Sequence, residues 1–222
     1  RRSSDLVGGR LGFAPIGASA QGSVQEMAGV TKSLVCIGEC MVELAPTSDG
    51  TYVRGFAGDT FNTAWYARRL LPPDWTVGFG SCVGQDAVSA QMLAFMADQG
   101  IDTQAVHRLA DRTVGLYMIS LQGGERSFSY WRGQSAAKTL AADPARLGAM
   151  LRGRDMVHFS AITLAILPPP DRRAFCDAVQ VARQAGSLVS FDTNLRPRLW
   201  DSADAMRDGV MAGAAVADIR SE

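Results

Sequence analysis

The sequence predicts an α/β protein: a doubly wound, mainly parallel sheet with helices on both faces and a small second β-sheet as a lid. Three observations predict it. Apolar strand-like runs alternate with helical runs, the rhythm that covers both faces of a parallel sheet. Hairpin-like stretches break that rhythm at 51–57 and 104–132. Polar and basic side chains gather just past strand ends, where open α/β sheets bind ligands.

The elements follow in order. Ser33–Leu44, "SLVCIGECMVEL", predicts a central strand with a tight turn or bulge at Gly38. "GTYVRGFAGD" is short and alternating, an edge or lid strand. "DTFNTAWYARRLL" places Phe61, Ala64, Trp65, Ala67 and Leu71 near helical spacing, and Pro72-Pro73 stops the helix. "WTVGFGSCVG" is a second strand, and "DAVSAQMLAFMADQG" a helix closed by Gly100. "TVGLYMISLQGGERSFSYWR" predicts a hairpin around Gly123-Gly124. "DPARLGAMLRG" is a helix and "DMVHFSAI" a strand. "PPPDRRAFCDAVQVARQAG" opens on prolines and closes on Gly186, the order a helix prefers. "SLVSFDTN" is a late strand and "SADAMRDGVMAGA" a last helix.

Bulk properties exclude several classes. The chain has 222 residues, 47% of them apolar, and a formal net charge of zero. That balance argues against a nucleic-acid coat or a membrane-surface protein. No apolar run approaches the roughly 20 residues a bilayer needs. Cys36, Cys40, Cys82 and Cys176 read as buried free thiols, which fits a reduced cytoplasm. Cys36 and Cys40 lie in one strand-like run and are expected on one strand face.

The two ends stand apart. "RRSSDL" is the translation of a common sequencing-adapter end, and the closing "RSE" translates the reverse complement of part of it. Residues 1–32 are therefore expected to be a non-native or disordered leader, with Met27 as the natural start, and residues 220–222 an adapter-derived tail. A transit or signal peptide is the rival reading, but no long apolar core supports it.

Three stretches carry chemistry. In "FAGDTFNTA", Gly58 permits close approach of the backbone, and Asp59 and Asn62 straddle a helix start, suited to sugar hydroxyls. From this stretch alone an ordinary N-cap, with Asp59 or Thr60 capping and Asn62 in the first turn, is the stronger explanation. In "RSFSYWRGQSAAK", Tyr130 and Arg132 are two apart on a strand and share a face that can hold a planar acid group. Charges guarding a sheet edge are the alternative. In "FDTNLRPRLW", Asn194 and Arg196 follow a strand end and suit a carboxylate or phosphate. A structural Asp–Arg pair is the alternative there. "VGQD" (Val83–Asp86) reads as a strand-to-helix turn.

Taken together, "CIGECMVEL", "RGFAGDTFNTAWYARRL", "GLYMISLQGGERSFSYWRGQSAAK", "FSAITLAIL" and "FDTNLRPRLW" resemble the ribokinase-like PfkB carbohydrate kinases, most of all the 2-keto-3-deoxygluconate kinases. The resemblance covers residues 33–219. It implies a ribokinase-like fold with a β lid and an ATP- and Mg²⁺-dependent kinase acting on a sugar acid. The family's Gly-Gly-x-x-x-Asn sugar turn appears as Ala57-Gly58-Asp59-Thr60-Phe61-Asn62, with alanine for the first glycine. Tyr117, Tyr130 and Arg132 match the lid's substrate residues. Arg196 matches the arginine facing the acid, and Asn194 the asparagine on the ATP side, so Asn194 and Arg196 are also the nucleotide-binding expectation. The family's catalytic base sits in a Gly-Ala-Gly-Asp turn that these 222 residues do not contain. The sequence is therefore expected to be about two-thirds of a kinase, with most of the acceptor site and no catalytic base or metal ligand of its own. A fructokinase, a 5-dehydro-2-deoxygluconokinase and a non-catalytic sugar-binding remnant stay open. So does a homo-oligomer formed through the lid, against an edge bared by truncation.

Overall fold

The structure, a computed structural model, describes residues 32–221. The expected leader therefore falls outside the described residues except for Lys32, which opens the first strand.

Six parallel strands form the large sheet: β1 (Lys32–Ile37), β4 (Trp75–Gly84), β5 (Val106–Leu109), β8 (Met156–Ser160), β9 (Leu188–Asp192) and β10 (Ile219–Ser221). Their order is β10-β9-β8-β1-β4-β5. The registers Cys36↔Phe79, Cys36↔His158 and Ser160↔Asp192 align the strands' carboxyl ends along one edge. The chain leaves β1 to pair on both of its sides, which creates the crevice where such sheets take ligands.

The side chains alternate across this sheet and give it two cores. Val35, Ile37, Val157, Phe159, Val189 and Phe191 meet helices α3 (Pro144–Leu151), α4 (Ala161–Ile166), α5 (Pro169–Gln184) and α6 (Ala203–Ala215) on one face. Leu34, Cys36, Val77 and Phe79 meet α1 (Asp59–Leu70) and α2 (Ala87–Asp98) on the other. Phe61 and Phe79 touch edge to face, with centroids 5.5 Å apart. Each such buried ring contributes about 1.5–3 kcal/mol. The expected doubly wound arrangement is thus present. All four cysteines are buried and free. Burial pushes the Cys176 thiol up to about 11 and moves the Cys36 thiol upward too, so neither is a poised nucleophile.

The second sheet has four strands in the order β3-β2-β6-β7: β2 (Met41–Pro46), β3 (Tyr52–Ala57), β6 (Leu116–Gln122) and β7 (Glu125–Trp131). Gly123 and Gly124, at φ +59° and +86°, make the expected hairpin turn, a conformation glycine adopts without strain. The lid's bounds differ from the expectation. The segment expected to run from 104 contributes β5 to the large sheet, and only 116–131 belongs to the lid. Residues 41–44, the part of the Ser33–Leu44 run beyond the Gly38 turn, form with 45–46 a lid strand paired with both β3 and β6. The break at Gly38–Cys40 separates this strand from β1 and lets it pair in a different sheet.

A short helix, α4, also follows β8 directly. Its Ser160–Thr163 capping box opens it where the sequence was expected to stay extended to Ile162. Residues 219–221, the last of which fall in the expected tail, pair with β9.

Candidate active site

The site gathers at the carboxyl ends of β1, β8 and β9. Gly58 is the N-cap of α1 and offers no side-chain cap, so Asp59 begins the helix rather than capping it. The Asp59 carboxylate, half-buried, instead accepts a hydrogen bond from Ser160 Oγ at 2.5 Å and one from Asn194 Nδ2 at 3.4 Å. The first joins α1 to the end of β8, and the second joins it to the segment after β9. Two of the expected site residues, Asp59 and Asn194, are therefore brought together across 135 positions of chain. Asn62 lies exposed on the first turn of α1, with its backbone N–H donating to the Gly58 carbonyl at 2.7 Å.

Gly58 is needed for a reason the sequence does not show. Its backbone is extended, at φ −176°, which any residue tolerates. A Cβ there would stand 2.0 Å from the Glu39 carbonyl oxygen. The close approach is thus to the protein's own backbone. Gly58→Ala is expected to cost about 1–3 kcal/mol through forced displacement. A thermal melt unchanged from the parent would show that the β3–α1 junction yields freely.

Past β9, Asp192, Thr193, Asn194, Leu195 and Arg196 line an open cleft of about 750 Å³ with Val210. Asp192 Oδ1 accepts from the Asn194 backbone N–H at 3.0 Å and fixes this turn. Arg196 is exposed and donates only to the Leu195 carbonyl, at 2.8 Å. Among the described residues no carboxylate pairs with it. The alternative of a structural Asp–Arg pair in this stretch is not what forms.

The lid brings Tyr117 and Tyr130 opposite each other in register, with ring centroids 5.8 Å apart. Tyr117 is buried and donates its hydroxyl to the Glu43 carboxylate. Burial first, then Glu43, hold its phenol above the ordinary value. Tyr130 is half exposed, and Arg132 Cζ lies 5.8 Å from its ring centroid, so the two do share a face. Trp131 alternates to the other side.

Arg132 is not free. Its Nη2 donates to Glu39 Oε2, and the two side chains are 12% and 2% exposed. Glu39 stands in the turn between β1 and β2. Burial pushes its carboxyl up, and the Arg132 charge pulls it back. The sequence reading missed Glu39, as it missed Glu43 and Ser160. A glutamate inside the apolar run "CIGECMVEL" was the available signal, because buried carboxylates are rare unless paired.

His158 precedes Ser160 by two residues on β8, with Nδ1 3.1 Å from Ser190 Oγ. Burial lowers its pKa, against the charges of Asp192 and Asp59. With the folded pKa below the unfolded one, the unfolded chain binds more protons between the two. This contribution is therefore complete above the unfolded value, about 6.5, and is lost as pH falls toward the folded one. The melting temperature is expected to drop below about pH 6.5, and His158→Asn to flatten that slope. An unchanged slope would assign the acid sensitivity to other groups, among them His107, whose pKa burial also lowers.

The fold and cleft define a class: a doubly wound α/β domain with a second, four-stranded sheet and an open cleft at the carboxyl edge of the large one. Residues 31–220 match the pfkB family carbohydrate kinase description, and the chain belongs to that family. It is 37% identical over 193 residues to a 2-dehydro-3-deoxygluconokinase of Dickeya dadantii, covering 85% of this chain and 62% of that protein. It is 38% identical over 179 residues to a protein of the same name in Escherichia coli K12, covering 79% and 58%. Fructokinase-1 of Oryza sativa is 31% identical over 202 residues, covering 87% and 60%. The chain thus spans about three-fifths of the length of these curated relatives. Among solved structures, a PfkB family carbohydrate kinase of Listeria grayi superposes with TM-score 0.75 at 21% identity, covering 86% of this chain and 60% of that one. A fructokinase of Xylella fastidiosa with bound ATP superposes with TM-score 0.71 at 22% identity, covering 86% and 57%. The ribokinase-like fold expected from the sequence is the fold present.

Proposed function

We propose that the protein containing this chain transfers the γ-phosphoryl group of ATP to the C6 hydroxyl of 2-keto-3-deoxy-D-gluconate. The observation that carries this reading is Arg196: an exposed guanidinium without a carboxylate partner, lining the cleft two residues from the Asn194 that is tied to Asp59. Such a fork binds a carboxylate or phosphate in two-point geometry. The relatives named 2-dehydro-3-deoxygluconokinase agree with it.

In this reading Gly58, Asp59 and Asn62 face the sugar hydroxyls from the start of α1. Tyr117 and Tyr130 cover the acceptor from the lid. Arg132 and Arg196 address its carboxylate from opposite sides, and Asn194 with Arg196 turns toward the nucleotide phosphates. ATP supplies the phosphoryl group and Mg²⁺ its charge neutralisation. The amide and guanidinium donors past β9 suit phosphate oxygens. For the cation, no three His, Cys, Asp or Glu side chains converge among the described residues, and no step assigned to these residues runs through it. Their work is to orient the acceptor and shield it from water, with the lid closing over it. No described helix is long and apolar enough to cross a membrane, which suits a sugar kinase working in the cytoplasm.

One observation favours a second reading. Arg132 already has a carboxylate partner, which suits a neutral acceptor such as fructose. A coupled ADP-release assay on the full-length protein decides between them. The keto-acid is expected to exceed fructose in kcat/KM by at least about a hundredfold, the worth of one or two charge-assisted bonds. Comparable turnover of fructose would make the neutral-sugar reading the better one.

A further inference from the structure

All four points where the chain crosses between the two sheets meet at Glu39. The first is the β1–β2 turn that carries Glu39 itself. At the second, between β3 and α1, Gly58 packs so closely that a Cβ would sit 2.0 Å from the Glu39 carbonyl oxygen. The third is the approach to β6, where a Cβ on Gly115 would lie 2.9 Å from Glu39 Oε1 and 3.1 Å from Arg132 Cβ. The fourth is the exit from β7, where Arg132 reaches back to Glu39 Oε2. The connections between the two sheets therefore converge on one buried carboxylate.

The pairing at this point is incomplete. Glu39 takes one guanidinium nitrogen, Nη2. Among the described residues, Arg132 Nε is buried without a protein partner, and so is Glu39 Oε1. Arginine carries five donors in a rigid fork. With Nη2 anchored and Nε buried, the Nη1 corner is what remains for a second planar acid. The same anchor sets the direction in which the fork points, because it fixes the end of β7 against the β1–β2 turn.

We propose that Glu39 is a positioning residue for the acid substrate: it holds Arg132 by Nη2 at the lid hinge, so that the remaining guanidinium donors meet the sugar-acid carboxylate when the lid closes. This rests on the keto-acid reading above. Glu39 itself touches no substrate. Its negative charge works against the substrate's own, and its positioning of Arg132 outweighs that repulsion because Arg132 stands between the two. The pair has no net charge, so specificity for the acid comes from geometry rather than from an excess of positive potential.

The test is a kinetic cycle in the full-length protein with Glu39→Gln, Arg132→Lys and the double variant. Glutamine keeps the shape and loses the charge that pins Nη2. Lysine keeps the charge and loses the fork. Glu39→Gln is expected to raise KM for the keto-acid about tenfold. It should change kcat less than threefold, and turnover of a carboxylate-free sugar should be unaffected. In the Arg132→Lys background the same change should have less than a twofold effect, because there is no fork left to aim. Three results would overturn the inference: additive effects in the cycle, equal losses on acid and neutral sugars, or a keto-acid KM that falls in Glu39→Gln. The last would mean that the carboxylate merely opposes the acid. If Glu39→Gln does not fold, Glu39→Asp carries the test: it keeps the charge but shifts the anchored corner, and it is expected to raise KM for the keto-acid severalfold in the parent and less than about twofold in the Arg132→Lys background, equal effects in the two backgrounds overturning the inference. A parent protein that phosphorylates neutral sugars alone would overturn the keto-acid reading and this inference together. Additive effects in a parent active on the acid would overturn this inference alone.

Discussion

Arg132→Met is expected to destabilise the protein by about 3–5 kcal/mol, because it strands the Glu39 carboxylate in a buried site. For a domain of this size that is a fall in melting temperature of about 6–20 °C. The Glu39 side chain is 2% exposed and already has one unpartnered oxygen, so water cannot easily replace the guanidinium. Protonation of Glu39 would relieve part of the cost, and burial already favours that protonation. The loss should therefore be smaller at pH 5 than at pH 8. The double replacement Glu39→Met/Arg132→Met removes both charges and is expected to recover most of the stability, since apolar side chains of similar volume substitute well for a buried pair. Differential scanning calorimetry of the three proteins checks this. Equal stability of the parent and Arg132→Met would mean that the pair is open to solvent.

Arg196→Met should give the opposite pattern: little change in stability and a large change in catalysis. Its side chain is exposed and bonds only to the neighbouring Leu195 carbonyl, and surface replacements of that kind stay within about 0.5 kcal/mol. A charge-assisted bond to a carboxylate is worth about 1.5–3 kcal/mol. The expected fall in kcat/KM for the keto-acid is therefore roughly 10- to 150-fold. With a sugar lacking the carboxylate the penalty should shrink toward unity. Arg198 follows Pro197 in the short helical turn after the cleft and is also exposed. Its replacement should matter much less. If Arg196→Met depresses acid and neutral substrates equally, the side chain serves the nucleotide phosphates, and the assignment to the acid falls.

The two arginines were indistinguishable in the sequence. Each follows an apolar, strand-like run and stands near aromatic or amide side chains. The pair at Glu39 and Arg132 spans 93 positions, and no local pattern announces a contact of that range. Asp59 and Asn194 were both expected at the site, yet their direct bond, and the bond from Ser160, depend on three separate elements ending at one edge.

What local chemistry could decide was legible. Period-two apolar runs marked the strands, prolines and glycines marked the helix ends, and Gly123-Gly124 marked the hairpin, because each rests on backbone sterics within a few residues. The alternation of strand and helix was enough to fix a doubly wound sheet. What local chemistry could not decide was membership. Residues 41–46 form a short, mostly apolar run as β1 does, and Val106–Leu109 looks no different from a lid strand. A strand joins whichever sheet offers it hydrogen bonds and cover for its apolar face, and both come from distant parts of the chain. Only the tertiary structure could place β2 in the lid and β5 in the large sheet. Only it could bring four crossings to Glu39, because a buried charge takes its partner from whatever the packed fold sets beside it.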